Sequence, residues 1–102
     1  MRRSRPRYPR PQDIAPVRAA LGRIPVDSPL REGWRESAKL APNWRFLGTT
    51  GGTEWVVDVY CGGFYYVCVG SASERTRSLP ITVRFLLTHL AARGALACWT
   101  CS

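Results

Sequence analysis

Gly62-Gly63, set between two runs dense in valine, tyrosine and tryptophan, limits the fold of this chain more than any other feature. Thr53–Cys61 (TEWVVDVYC) and Phe64–Gly70 (FYYVCVG) have the β-branched and aromatic content of strands. Two glycines between such runs supply the positive φ angles that a two-residue hairpin turn requires. The spacing predicts an antiparallel pair in which Cys61 faces Phe64, Tyr60 faces Tyr65, Val59 faces Tyr66, Asp58 faces Val67 and Val57 faces Cys68. Side chains alternate between the faces of a sheet. One face is therefore expected to carry Trp55, Val57, Val59, Phe64, Tyr66 and Cys68, and to seat a helix. The other is expected to carry Val56, Asp58, Tyr60, Tyr65, Val67 and Val69, with two tyrosines directly opposed.

The flanking segments extend this unit. Trp44–Thr50 reads as a further strand, joined to the hairpin through Gly51-Gly52. A polar loop, Ser71–Arg77, leads to Ser78, a good N-cap for a helix over about Leu79–Arg93, with Pro80 in its first turn and Gly94 as its stop. Val83, Leu86, Leu87 and Leu90 make its apolar stripe. Upstream, Asp13 is expected to cap a short helix to Leu21, ended by Gly22, with Val17, Ala20 and Leu21 on its apolar side. Ser28-Pro29 resembles a second helix start, running to Ala41 and ended by Pro42, with Gly33 as a weak point. The class is α+β: a small three-stranded antiparallel sheet with a C-terminal helix packed on one face, preceded by one or two short helices. At 102 residues and 45% hydrophobic content, the chain holds one small domain, residues 13–102, with its body at about 43–94.

The N-terminus has a different character. Arg2, Arg3, Arg5, Arg7 and Arg10 lie among ten residues with no acid, and supply +5 of the formal charge of +8. Pro6, Pro9 and Pro11 oppose a helix there, so residues 1–12 are expected to form a disordered Arg/Pro-rich arm. Fourteen arginines against the single Lys39 reflect a codon bias that does not account for this clustering. Arginine's planar fork pairs bidentately with phosphate, so the expected partner is nucleic acid, DNA or RNA. A solvated solubility tail and a mitochondrial presequence are the competing explanations, and the prolines oppose the second. No apolar run reaches the ~18–20 residues of a membrane span. The longest, Leu79–Leu90, is interrupted by Arg84 and His89. A soluble, intracellular protein of cytoplasm or nucleoid is expected, with no membrane partner.

The residues of reactive chemistry are few. Cys98-Trp99-Thr100-Cys101 has the spacing of half a zinc site. In the expected register Cys61 and Cys68 lie about 13 Å apart and cannot complete it together. No metal or cofactor is expected. His89 is the lone histidine, and Asp58 projects from the sheet face away from its helix, so no catalytic residue is nominated and no enzyme is expected.

Nucleic-acid recognition has better material. Arg75, Arg77 and Arg84 cluster around the start of the last helix, whose free N–H groups attract phosphate. Arg45 lies on the first strand, and the rings of Tyr60 and Tyr65 can stack on bases. The alternative is a protein–protein interaction module, a small inhibitor or an assembly subunit of a larger complex, with or without nucleic acid, anchored by Trp34, Trp44 and Trp99.

Gly33-Trp34-Arg35, Tyr65-Tyr66 and Arg77-Ser78 ahead of an apolar helix resemble the methyl-CpG-binding domain. The order of three strands and a helix is similar to the arm-binding domain of tyrosine recombinases. Both families read duplex DNA with a sheet, and the resemblance implies that style of binding for residues 33–90.

Overall fold

The computed structural model describes residues 9–22, 35–37 and 43–94. The chain runs α1 (Pro11–Gly22), β1 (Arg35–Ser37), β2 (Asn43–Thr50), β3 (Thr53–Tyr60), β4 (Phe64–Val69), β5 (Ala72–Thr76) and α2 (Leu79–Ala92). The strands form an antiparallel meander in chain order, β1-β2-β3-β4-β5. The class is α+β as expected, but the sheet has five strands where three are expected. The two additions are its edges. β5 takes Ala72–Thr76 out of the expected loop, and β1 takes Arg35–Ser37 out of the expected second helix, the rest of which lies outside the described residues. Both edge strands are short and polar, as edges that discourage further strand pairing are.

Pro11 occupies the first position of α1, where its missing N–H leaves no bond unmade. The Arg10 carbonyl accepts from the N–H groups of Asp13 and Ile14, at 2.8 and 3.2 Å. The Asp13 carboxylate in turn accepts from the Arg10 backbone N–H at 2.9 Å. Asp13 is therefore the acidic member of a reciprocal cap, three residues inside the helix, and not the N-cap itself. Residues 11 and 12, expected in the arm, belong to the helix. Ile14, Val17 and Leu21 are its buried side.

In α2 the Ser78 hydroxyl accepts from the Ile81 N–H at 3.2 Å, as the N-cap reading requires. Its buried stripe is Thr82, Leu86 and Leu90, while Val83 and Leu87 are half-buried. Thr82 is tolerated in that stripe because its hydroxyl donates back to the Ser78 carbonyl at 2.9 Å. No helix among the described residues is long and apolar enough to cross a membrane.

The register of the central hairpin differs from expectation by one residue. Tyr60 pairs with Phe64, Val59 with Tyr65, Asp58 with Tyr66, Val57 with Val67 and Val56 with Cys68. The loop is the three residues Cys61-Gly62-Gly63, with φ of 85° and 84° at the glycines. A slip of one residue sends every β4 side chain to the opposite face. Trp55, Val57 and Val59 thus share a face with Tyr65, Val67 and Val69, while Phe64, Tyr66 and Cys68 lie on the other.

The cause is apolar burial. This register joins four β-branched valines to Phe46, Trp55, Leu86 and Leu90 in a core where each is at most 1% exposed. Burying each such side chain is worth about 1.5–3 kcal/mol. The expected register would have buried a thiol and a tyrosine in place of Val67 and Val69. Ile14, Val17 and Leu21 of α1 join the same core, so both helices cover one face.

Candidate functional site

The face that neither helix covers is ordered in cross-strand rows. At the end nearest the Cys61–Gly63 loop, Asn43, Tyr60 and Phe64 lie side by side. The next row runs Ser37, Arg45, Asp58, Tyr66, Arg75 across all five strands. The third runs Arg35, Leu47, Val56, Cys68, Ser73. None of these side chains belongs to the core cluster.

Asp58 is the chemical centre of the middle row. Its side chain is only 1% exposed, although it points away from the helices. Arg45 closes over it with two parallel bonds, Nε to Oδ1 at 2.7 Å and Nη2 to Oδ2 at 2.9 Å. This bidentate pairing satisfies a carboxylate that the surrounding side chains have taken out of water. It holds the Arg45 guanidinium pKa above its ordinary value, the Asp58 hydrogen bonds being the main cause, with Tyr60 and Cys68 adding to it. Arg45 is thus committed to Asp58, and the pair presents no net charge.

Two further arginines, Arg75 on β5 and Arg77 just after it, sit on rings of this face. The Arg77 guanidinium lies 4.2 Å from the centroid of Phe64, and that of Arg75 lies 5.6 Å from the centroid of Tyr66. Both distances fall within the ~6 Å over which a cation is held by a ring's negative face. Phe64 is 38% exposed, unusual for a large apolar side chain. Beside it, Tyr60, Cys61, Phe64, Tyr65 and Arg75 line a concavity of about 440 Å³. Cations, ring faces and a hollow between them form a surface that can pair with phosphate and stack on a planar group.

The sequence candidates are distributed unevenly. Arg2, Arg3, Arg5 and Arg7 lie outside the described residues, and Arg10 belongs to the cap of α1. Arg45, Tyr60, Arg75 and Arg77 come together on the open face. Tyr65 does not oppose Tyr60. It packs against the core on the covered side, where burial first and the Asp13 carboxylate second push its phenol above the usual pKa. Arg84 is exposed on α2, two residues from Thr82 and Leu86 and so on the side away from the core. The basic patch of Arg75, Arg77 and Arg84 is therefore divided by the sheet.

Sequence reasoning missed Phe64 and Tyr66, because the expected register buried them. The signal was in the valines: a loop of odd length, unlike a two-residue turn, places Val57, Val59, Val67 and Val69 on one side.

Trp44 lies on the covered face, packed on the core, and its indole N–H donates to Glu36 at 3.0 Å. Trp34 and Trp99 lie outside the described residues, as do Cys98 and Cys101. Cys61 is a loop residue and Cys68 a strand residue, both half-buried free thiols. Among the described residues no three His, Cys, Asp or Glu side chains are grouped to hold a metal ion. Comparison of the chain with protein-family models, curated proteins and solved structures gives no match.

Proposed function

We propose that this chain binds nucleic acid through the open face of its sheet, with the N-terminal arginine cluster adding affinity. The observation that carries the reading is the placement of Arg77 over Phe64 and Arg75 over Tyr66, on a face that both helices leave uncovered. Rings and guanidiniums so arranged meet the two parts of a nucleotide, a planar base and a phosphate. The Arg45–Asp58 pair supports the same reading, because it removes the one buried negative charge that would repel phosphate from the middle of the face. Arg2, Arg3, Arg5 and Arg7 supply +4 of the chain's formal net charge of +8.

The test is binding to a labelled oligonucleotide over a series of salt concentrations. Each phosphate contact contributes about 0.7 to the log–log salt slope on a single strand and about 0.9 on duplex DNA. Replacing Arg75 and Arg77 together by alanine is expected to weaken binding and lower the slope by roughly 1.4–1.8. A protein that binds no nucleic acid at low salt, or a slope indifferent to both residues, would overturn the reading.

A further inference from the structure

The open face is more than a basic surface, and the difference bears on which nucleic acid it takes. A duplex presents phosphates outward and hides the faces of its bases in the stack. Against a duplex, the 38% of Phe64 that is exposed and the hollow beside it would meet only the charged backbone. An unstacked base offers a planar apolar face, and stacking on an aromatic ring is indifferent to sequence because every base has such a face. Tyr60 stands directly across from Phe64, and Tyr66 is two residues further along the same face. Same-face neighbours on a strand are about 6.6–6.8 Å apart, within reach of successive bases on an extended strand.

Charge follows the same arrangement. Arg77 and Arg75 flank the rings on the β5 side, and Arg45 neutralises Asp58. Glu54, the other acid on this face of β3, lies six residues from Tyr60, about 20 Å along the strand. The aromatic end of the face therefore carries two exposed cations, Arg75 and Arg77, and its one acid, Asp58, is paired with Arg45.

We infer that the occupant of this face is a single strand of nucleic acid, held by stacking of unpaired bases on Tyr60 and on the Arg77–Phe64 and Arg75–Tyr66 pairs, with one base in the hollow that Tyr60, Cys61, Phe64, Tyr65 and Arg75 line and its phosphates on the guanidinium edges of Arg75 and Arg77. This inference rests on the nucleic-acid reading above and deepens it.

The experiment compares three probes of equal length at one low salt concentration: an oligodeoxythymidine, the same backbone with abasic residues throughout, and a duplex. Each stacked base is worth roughly fivefold or more in affinity. The thymidine strand is expected to bind at least about tenfold more tightly than the abasic strand, and more tightly than the duplex. Phe64→Ala and Phe64→Leu are expected to weaken the thymidine strand by roughly fivefold more than they weaken the abasic strand. The leucine variant keeps the apolar bulk and loses only the ring, so an equal loss in both identifies stacking. Equal binding of all three probes, or tighter binding of the duplex, would overturn the inference while leaving the nucleic-acid reading in place. Failure to bind any of the three would overturn both.

Discussion

The covered and open faces of the sheet come from the same strands, residue by alternate residue, yet they are built to different rules. On the covered face a change of one residue in register is decisive, because Val57, Val59, Val67 and Val69 must all meet Leu86, Leu90 and Phe46. On the open face the polar groups are settled in local pairs instead, Arg45 on Asp58, Arg75 on Tyr66 and Arg77 on Phe64. The first arrangement specifies the fold. The second leaves Phe64 38% exposed and the guanidiniums of Arg75 and Arg77 at the surface. The lesson is that β4, whose every residue is apolar, aromatic or a thiol, divides its side chains by shape. Valines pack inward, while Phe64 and Tyr66 are left out on the side where cations hold them.

The largest effect expected from breaking this division is on the covered face. Phe46 is fully buried, and Phe46→Ala is expected to cost about 3–5 kcal/mol of stability in chemical denaturation. Phe64→Ala, the same change on the open face, is expected to stay within about 1 kcal/mol. Equal losses would contradict the assignment of the two faces.

Arg45→Ala comes next, and it sharpens the comparison because this open-face residue is structural. It would leave the Asp58 carboxylate, 1% exposed, without its partner. Because the Arg45 side chain is itself 39% exposed and water can partly replace it, the expected loss is about 2–3 kcal/mol. Replacing the pair together, Arg45→Met with Asp58→Leu, is expected to recover most of that stability, since an ion pair taken from water is often no better than apolar side chains of similar volume. A double variant as unstable as the single one would show that the pair has a role beyond mutual neutralisation.

Arg75→Ala and Arg77→Ala, by contrast, are expected to change stability by less than about 0.5 kcal/mol each, being exposed side chains. Their effect belongs in binding, and Arg84→Ala, on the far side of the sheet, is expected to have little effect on either.

The smallest effect belongs to the contact that ties α1 to the sheet. Glu36 accepts from Arg18 twice at 2.7 Å and from Trp44 at 3.0 Å. The Arg18 hydrogen bonds are the main cause holding its carboxyl below the ordinary value of 4.5, against a burial penalty that raises it. A carboxylate whose pKa is depressed in the folded state adds stability above its unfolded pKa and loses it as pH falls through the folded value. Glu36→Gln is therefore expected to lower the melting temperature slightly at neutral pH, with the difference from the parent closing as pH drops below 4.5. A difference that persists undiminished in acid would show that the carboxylate charge is not what matters.

How much of this was legible in the sequence depended on whether a local signal existed. α2 was, because Ser78, Pro80 and Gly94 each have a local reason to stand where they do. β2, β3 and β4 were, by their valines and rings. β5, Ala-Ser-Glu-Arg-Thr, has no apolar alternation and is a strand only because β4 offers it an edge. β1 is three polar residues held by pairing with β2, which no local propensity announces. Of the open-face residues, Tyr60, Arg75 and Arg77 were singled out by residue type. Phe64 and Tyr66 were lost because two adjacent glycines do not say whether Cys61 belongs to the strand or the loop. That choice is made by the valine core, a tertiary preference that outweighs the simpler turn.

We propose the open face, and not the covered face, as the contact surface. The most direct test is a nitrogen-15 NMR titration of the folded protein with a short single-stranded oligonucleotide, following the backbone amides together with the Nε–Hε signals of Arg75 and Arg77. The two arginine signals and the amides of β3, the Cys61–Gly63 loop, β4 and β5 are expected to shift with increasing ligand, while those of Leu86 and Leu90 stay in place. Shifts confined to α2, with the Arg75 and Arg77 signals unmoved, would contradict the proposal.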